Sequence, residues 1–292
     1  MPAPPPDARS FVSEVVAVAA CGDDGAILSL RPERKLPPVR ASRFFMLRRE
    51  DGPGMRVSPA IPRPFSIYRQ RGDVLDFLVK VVGRGTRALA ECKPGMKVRT
   101  IGPLGNGWPT LDGDGPPWVM LAGGVGSAPF FMGIEQALAG MDGARPAAAK
   151  SLNFLFGAAR RGFLYDLDAF CDFGIRVATA TIDGSHGLRG NVLDLLREHQ
   201  RRRELPEKVR LLACGPERML EAVAEFADER ELDCWLSLET LMGCGVGICN
   251  GCPIPTRAEG PRGAWPNAKC CVEGPVFKTT EIALTSLHRP TA

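Results

Sequence analysis

Ten cysteines lie in 292 residues, and half of them crowd between positions 244 and 271. Cys21, Cys92, Cys171, Cys214 and Cys234 are scattered, whereas Cys244, Cys249, Cys252, Cys270 and Cys271 are not. The segment Gly243-Cys-Gly-Val-Gly-Ile-Cys-Asn-Gly-Cys252 has the spacing C-x4-C-x2-C. That is the ligand run of plant-type 2Fe–2S centres, which a later cysteine completes. Thiolates are the soft ligands that iron and sulfide need. Gly245, Gly247 and Gly251 permit the positive φ values of a chain that wraps a compact cluster and aims its N–H groups at the sulfurs. Cys270 and Cys271 both follow at loop distance as the fourth ligand. A zinc knot usually pairs C-x2-C units, which the x4 gap fits poorly. The scattered cysteines read as small buried hydrophobes.

Other spacings suit phosphate. Trp118-Val-Met-Leu-Ala-Gly-Gly-Val-Gly-Ser-Ala-Pro129 reads as a strand, a glycine turn and a helix start. Gly123, Gly124 and Gly126 would let backbone approach a pyrophosphate, and the helix N-terminus would supply free N–H groups. Pro129 stands where the strict fingerprint has glycine, and proline suits a first helical turn. Cys214-Gly215-Pro216 is a second strand end leading into a helix. Arg63-Pro64-Phe65-Ser66-Ile67-Tyr68 offers a charge and a hydroxyl for a phosphate. Strand alternation would put residues 63 and 66 on opposite faces, and the bend at Pro64 makes shared reach plausible. Gly83-Arg-Gly85-Thr86 opens a short helix, and Gly102-Pro-Leu-Gly-Asn-Gly107 is a close-approach loop. After Leu152–Gly157, Ala158-Ala-Arg-Arg161 lacks the acid of an NAD site. Its two arginines could accept a 2′-phosphate or stand as solvated surface.

These residues need elements to position them. Six short β-prone runs, Phe11–Ala20, Ala26–Arg31, Ser42–Arg48, Phe65–Gln70, Val74–Val82 and Met96–Ile101, predict a six-stranded antiparallel barrel over residues 10–111. One short helix, Thr86–Cys92, interrupts them, and breaks such as Glu50-Asp-Gly-Pro-Gly separate them. Asp112-Gly-Asp-Gly-Pro-Pro117 marks a boundary. Strands Trp118–Ala122, Leu152–Gly157, Arg176–Thr181 and Val209–Cys214 then alternate with helices Pro129–Ala139, Asn191–His199 and Glu217–Arg230. That alternation predicts a Rossmann-like parallel α/β domain over 117–232. Met219, Leu220, Val223, Phe226 and Ala227 recur at helical spacing and read as core. Residues 233–292, rich in Cys, Gly and Pro, predict a small domain that needs a bound metal centre to fold.

The composition is 45% hydrophobic and 24% charged, which excludes disordered and fibrous classes. Thirty-seven basic against 33 acidic residues, a net charge of +4, gives no basic face for nucleic acid. No run of 18 apolar residues predicts a membrane span. The N-terminus lacks the apolar core of a signal peptide, so a cytoplasmic, reducing location is expected, with the first nine residues as a loose tail.

In their order, R-P-x-S, G-x-G-T, G-P-L-G-x-G, A-G-G-x-G and C-G-P resemble the ferredoxin–NADP reductase superfamily. With C-G-x-G-x-C-x-x-C and C-x-x-G-P-V-F added, the chain is similar over residues 10 to 280 to the electron-transfer subunits of class 1B dihydroorotate dehydrogenase. The resemblance implies FAD held by Arg63, Pro64, Phe65, Ser66, Ile67 and Tyr68, with Gly83, Gly85 and Thr86 at its pyrophosphate. It implies the nicotinamide nucleotide at Gly123, Gly124 and Gly126, with Cys214, Gly215 and Pro216 as a second contact. It implies Cys271, three residues before Gly274, as the fourth ligand beside Cys244, Cys249 and Cys252. The co-substrate would be NAD(H), with NADP not excluded. The partner would be an FMN-bearing catalytic subunit of pyrimidine biosynthesis, in a heterotetramer. That partner oxidises dihydroorotate, so electrons would leave as NADH. Relatives of the same layout serve hydrogenases, bifurcating NADP reductases and oxygenases.

A flavin must stand between a two-electron hydride donor and a one-electron cluster. Such a conduit needs no acid or base, so His186, His199 and His288 are expected to have no catalytic role. His186 reads as a turn residue and Arg201-Arg-Arg203 as a solvated helix end.

Overall fold

The computed structural model describes residues 7–50, 59–141 and 144–284. The expected tail before Asp7, the centre of the Glu50–Gly54 break and His288 lie outside them.

The first half is one antiparallel sheet of seven strands. They are β1 (Arg9–Cys21), β2 (Gly25–Pro32), β3 (Phe44–Arg49), β4 (Arg63–Ser66), β5 (Arg69–Arg71), β6 (Val74–Lys80) and, after helix α1 (Arg84–Ala90), β7 (Lys97–Leu104). Their order is β4-β3-β7-β1-β2-β6-β5. The count exceeds the expected six because Phe65–Gln70 is not one strand. Arg63–Ser66 pairs with β3 at one edge, and Arg69–Arg71 pairs with β6 at the other. Ile67 and Tyr68 cross between the edges: the Ile67 N–H donates to the Arg43 carbonyl at 2.9 Å and the Tyr68 N–H to the Asp76 carbonyl at 2.9 Å. This crossing curls the sheet into a half-barrel. Phe11, Leu28, Phe45, Phe77 and Val98 fill it. Burying such side chains contributes about 1.5–3 kcal/mol each.

The second sheet contains β8 (Trp118–Gly123), β9 (Leu152–Ala158), β10 (Arg176–Thr181), β11 (Leu188–Arg189), β12 (Arg210–Cys214) and β13 (Cys234–Ser237). Helices α2 (Ala128–Ala139), α3 (Leu167–Cys171), α4 (Val192–Arg201) and α5 (Glu217–Glu229) intervene. A hairpin of β14 (Pro253–Pro255) and β15 (Asn267–Lys269) follows, then the short helix α6 (Cys270–Glu273) and β16 (Val276–Lys278). The order β11-β10-β9-β8-β12-β13-β16 is parallel except for β16. β8, buried throughout, is a continuous apolar run, as a strand covered on both faces must be. α4 starts at an Asn191 cap whose side-chain oxygen accepts from the Leu193 and Asp194 N–H groups at 2.8 and 3.0 Å.

The sequence boundary at residue 233 divides elements that pack together. β13 and β16 fall in the stretch assigned to the third domain, yet both extend the parallel sheet. Cys252, Ile254, Cys270, Cys271 and Phe277 are buried in the same apolar cluster as α4 and α5. The described part of this stretch, up to residue 284, therefore shares a core instead of lacking one. Cys21, Cys92, Cys214 and Cys234 are buried as expected, but Cys171, at the end of α3, is exposed. Arg201 and Arg202 are ion-paired with Glu198 at 2.7 and 2.6 Å, on the solvated end of α4.

Candidate functional site

The barrel, the parallel sheet and the segment after β13 meet around a cleft of about 360 Å³. Arg63, Pro64, Phe65 and Ser66 line it, with Thr86 across from them. A methyl group on Gly85 would lie 3.4 Å from the Arg63 Nε, so this arginine and the Gly83–Thr86 turn are neighbours. The turn uses its own hydroxyl: Thr86 Oγ1 accepts from the Val82 and Gly83 N–H groups at 2.9 and 3.1 Å. Thr86 thus shapes the turn. Beyond Gly83 there is open space on the Cβ side, as a pyrophosphate against the backbone requires. Ile67 and Tyr68 do not face the cleft. Both are fully buried where the chain crosses between sheet edges, and the Tyr68 hydroxyl donates to Asp166 at 2.6 Å, tying the barrel to the second half.

A second cleft, about 560 Å³, opens at the carboxyl ends of β8, β9 and β12. Gly123, Gly124 and Gly126 line it, as do Gly215 and Pro216. Gly124 has φ +54° with nothing near its Cβ position. Gly126 has no such room: a Cβ there would stand 2.2 Å from the Cys214 carbonyl oxygen. The two strand-end turns are thus pressed together, and Met219 seals them, its side chain 2.7 Å from the Cβ positions of both Gly123 and Gly215. Met219 therefore lines a cleft, which the helical stripe alone did not show. Cys214 opens instead to the first cleft.

Lys80, Val82, Val125 and Glu239 line both clefts, so the two adjoin. Glu239 is exposed into the cavities yet lies deep among protein atoms. That burial raises its carboxyl pKa, and Lys80 opposes the shift. Sequence reasoning missed Glu239 and Lys80. One follows a short strand and the other ends a barrel strand, with nothing local to mark them.

Leu241 and Met242 continue from the first cleft into the cysteine loop. Gly245 and Gly247 have φ +72° and +83°. The Val246 and Cys249 N–H groups both donate to Cys244 Sγ at 3.4 Å. Burial opposes ionisation there, but these N–H groups hold the Cys244 thiol down to about 7. The Cys252 and Cys271 sulfurs stand 3.3 Å apart, in hydrogen-bonding contact. Their mutual hydrogen bond holds Cys252 down to about 6 and pushes Cys271 up. Cys270 turns away toward the Leu238 carbonyl, 3.7 Å from its sulfur, and burial pushes its thiol up. The loop thus sets Cys249 beside Cys244 and Cys252 beside Cys271, and leaves Cys270 in the core. Two thiol pairs bathed by N–H donors fit a two-iron group. Among the described residues no three His, Cys, Asp or Glu side chains converge on one metal position.

Packing locks this loop to the barrel. A Cβ on Gly245 would lie 2.6 Å from Met46 Cγ on β3. Asn106, in the loop after β7, donates to the Glu273 and Val276 carbonyls at 3.0 and 2.8 Å and accepts from the Val276 N–H at 2.9 Å. It staples the segment bearing Cys271 to the half-barrel. Asn106→Ala should cost about 1–3 kcal/mol through the orphaned backbone groups. The expected result is a lower melting temperature and slower cluster reduction by NADH in stopped-flow, with flavin content unchanged.

A family model described as the iron–sulfur cluster binding domain of dihydroorotate dehydrogenase B matches residues 239–283. The electron-transfer subunit of dihydroorotate dehydrogenase B (NAD+) from Desulforamulus reducens is 34% identical, the match covering 78% of this chain and 82% of the relative. Its counterpart from Geobacillus sp. is 32% identical over 78% of this chain and 82% of its own. Among solved structures, an NADH-dependent reduced ferredoxin–NADP oxidoreductase studied for flavin-based electron bifurcation superimposes with a TM-score of 0.76 at 24% identity, covering 94% of this chain and 91% of that one. A ferredoxin–NADP+ reductase from Neisseria gonorrhoeae with bound FAD and NADP gives a TM-score of 0.61 at 19% identity, covering 76% and 91%. These two likenesses speak to the fold.

Proposed function

As a member of the family of electron-transfer subunits of dihydroorotate dehydrogenase B (NAD+), this chain is an NAD(H)-linked flavoprotein oxidoreductase, and from that premise we propose how its residues divide the work. Arg63, Pro64, Phe65 and Ser66 hold FAD, with the Gly83–Thr86 turn under its pyrophosphate. The turns Gly123–Gly126 and Cys214–Pro216 receive the nicotinamide nucleotide. Cys244, Cys249, Cys252 and Cys271 hold the 2Fe–2S cluster. When bound, FAD exchanges a hydride's two electrons with the nicotinamide and single electrons with the cluster. The protein's share is placement. Lys80, Val82, Val125 and Glu239, common to both clefts, hold the nucleotide against the flavin. Val246 and Cys249 N–H groups favour the thiolate that iron requires.

The observation that carries this reading is continuity: nucleotide cleft, flavin cleft and cysteine loop adjoin in that order, with Leu241 and Met242 spanning the last step. The test is anaerobic titration of the reconstituted holoprotein with NADH. Bleaching of the flavin bands together with a low-temperature paramagnetic signal from the cluster is the expected result. Flavin bleaching with an iron centre that never reduces would sink the reading.

The name of the relatives implies a catalytic partner subunit. We infer that this partner carries FMN, oxidises dihydroorotate in pyrimidine biosynthesis and forms a heterotetramer with the chain. No described helix is long and apolar enough to cross a membrane. Leu241 and Ile248 are 89% and 81% exposed on the loop whose Cys249 is itself exposed. Apolar side chains over the cluster end of the electron path suit the partner's docking surface. Ile248→Asp should weaken the complex by about tenfold or more, the effect of losing an interface anchor, with iron and flavin content unchanged. Isothermal titration with the purified catalytic subunit measures it.

A further inference from the structure

One lysine grips the cysteine loop from outside. β15 ends at Lys269, whose register partner is Pro253, the residue after Cys252, and the Cys270 N–H donates to the Cys252 carbonyl at 2.9 Å. This hairpin brings the Lys269 side chain to the loop, where its ammonium donates to the Gly247 carbonyl at 2.8 Å. Val272, on α6, closes on the same glycine: a Cβ on Gly247 would lie 2.7 Å from Val272 Cγ2 and 3.9 Å from Lys269 Cδ. The Glu273 carboxylate is engaged elsewhere, accepting from the Lys269 backbone N–H at 2.7 Å and pairing with Arg262 at 3.3 Å. Among the described residues no carboxylate pairs with the Lys269 ammonium, whose partner is the Gly247 carbonyl.

Gly247 joins two peptides that serve two different sulfurs. Its φ of +83° lies in the left-handed region that glycine tolerates. Its own N–H acts on Cys271: the bond with Cys252 and burial push that thiol up, and the Gly247 N–H opposes them. Its carbonyl shares a planar trans peptide with the Ile248 N–H, so the two point in opposite directions. Lys269 holds the carbonyl on one side, which aims the Ile248 N–H at Cys244 on the other. Burial is the largest influence on the Cys244 thiol and opposes its ionisation, and the Cys249, Val246 and Ile248 N–H groups are among those that overcome it. The Cys252 thiolate is favoured first by its hydrogen bond with Cys271 and, more weakly, by the charge of Lys269.

We propose that Lys269 is a positioning residue that sets the reduction potential of the 2Fe–2S cluster, by fixing the Gly247–Ile248 peptide so that its N–H faces the sulfurs and by placing a positive charge beside them. The proposal rests on the four cysteines holding that cluster. Uptake of one electron adds one negative charge. Hydrogen bonds to the sulfurs and a nearby cation both favour the more negative state, so both raise the potential. The two effects of Lys269 therefore have the same sign. The lysine shifts the shared electron from flavin toward cluster, in whichever direction the path runs.

The test is a redox titration of the FAD- and cluster-loaded protein, with low-temperature paramagnetic resonance reading the cluster and absorbance reading the flavin. Lys269→Met keeps the length and loses both donor and charge. It should lower the ratio of reduced to oxidised cluster at a fixed potential by about tenfold, which for one electron is about 60 mV more negative. Lys269→Gln keeps a donor and should lower the ratio by about threefold, whereas Lys269→Arg keeps donor and charge and should stay within about twofold of native. The flavin ratio should move by less than about twofold in all three, because the lysine touches the cysteine loop. An unshifted cluster in Lys269→Met, an equal shift in Lys269→Arg, or a flavin shift of the same size overturns the proposal. Failure of both Lys269→Met and Lys269→Gln to bind iron also overturns it, because the lysine would then hold the loop together without tuning it. Native protein with no reducible cluster signal overturns the assignment of the four cysteines and the proposal with it.

Discussion

Cys249→Ser removes the iron and leaves the flavin. Metal analysis should find the variant nearly iron-free, absorbance should show a full flavin complement, and turnover with the catalytic subunit should fall by more than about 100-fold, beyond the loss from damage to a metal's outer shell alone. NADH oxidation with ferricyanide should persist. The reasoning is chemical and spatial. Serine has nearly the same shape, but its hydroxyl is a hard, protonated ligand where the centre needs a soft thiolate. Cys249 is exposed, so its replacement opens no cavity in the core. The residues facing the flavin cleft from the barrel belong to β3, β4, β6 and the turn from Val82 to Thr86, on a sheet separate from the strands that flank the cysteine loop. Equal loss of iron and flavin would mean that the cysteine loop and the barrel fold as one unit.

Gly126→Ala has the complementary effect. Cofactor content should be intact, and chemical reduction by dithionite should still bleach the flavin and reduce the cluster. The kcat/KM for NADH should fall by about 10–100-fold, the kinetic equivalent of the 1–3 kcal/mol that overpacking costs. A methyl group at this position would meet the Cys214 carbonyl at 2.2 Å, which is backbone and cannot rotate aside. Close-packed interiors relieve such overlap only by shifting elements. The turn after β8 and the turn after β12 must part, and both line the nucleotide cleft. Gly124→Ala is the informative contrast. There the obstacle is the φ of +54°, with open space around the Cβ, so the strain is about 1–2 kcal/mol without a packing clash. Loss of flavin in Gly126→Ala would show that the two clefts do not fail separately.

Together the two variants separate the two ends of the electron path. One blocks exchange of electrons with the nucleotide, and the other blocks their exchange with the partner through the cluster. In native protein the two ends are joined through Asn106, Gly245 and the shared lining residues Lys80, Val82, Val125 and Glu239.

What the linear sequence determined about this protein is what depends on near neighbours along the chain. The C-x4-C-x2-C run, the glycine turn after Trp118–Ala122 and the apolar period of α5 are all legible, because ligand reach, turn conformation and amphipathicity are properties of a few consecutive residues. The half-barrel and the parallel sheet followed from the same periodicities. Tertiary structure decided whatever needed residues distant in sequence to meet. Cys270 and Cys271 are equivalent by spacing, yet the start of α6 turns one toward Leu238 and the other toward Cys252. Phe65–Gln70 looks like one strand, but sheet closure splits it between two edges and buries Tyr68. Asn106 and Glu239 are unremarkable beside their neighbours and take on their roles only where two sheets close on each other. No local signal encodes them, because the groups they touch lie up to 170 positions away.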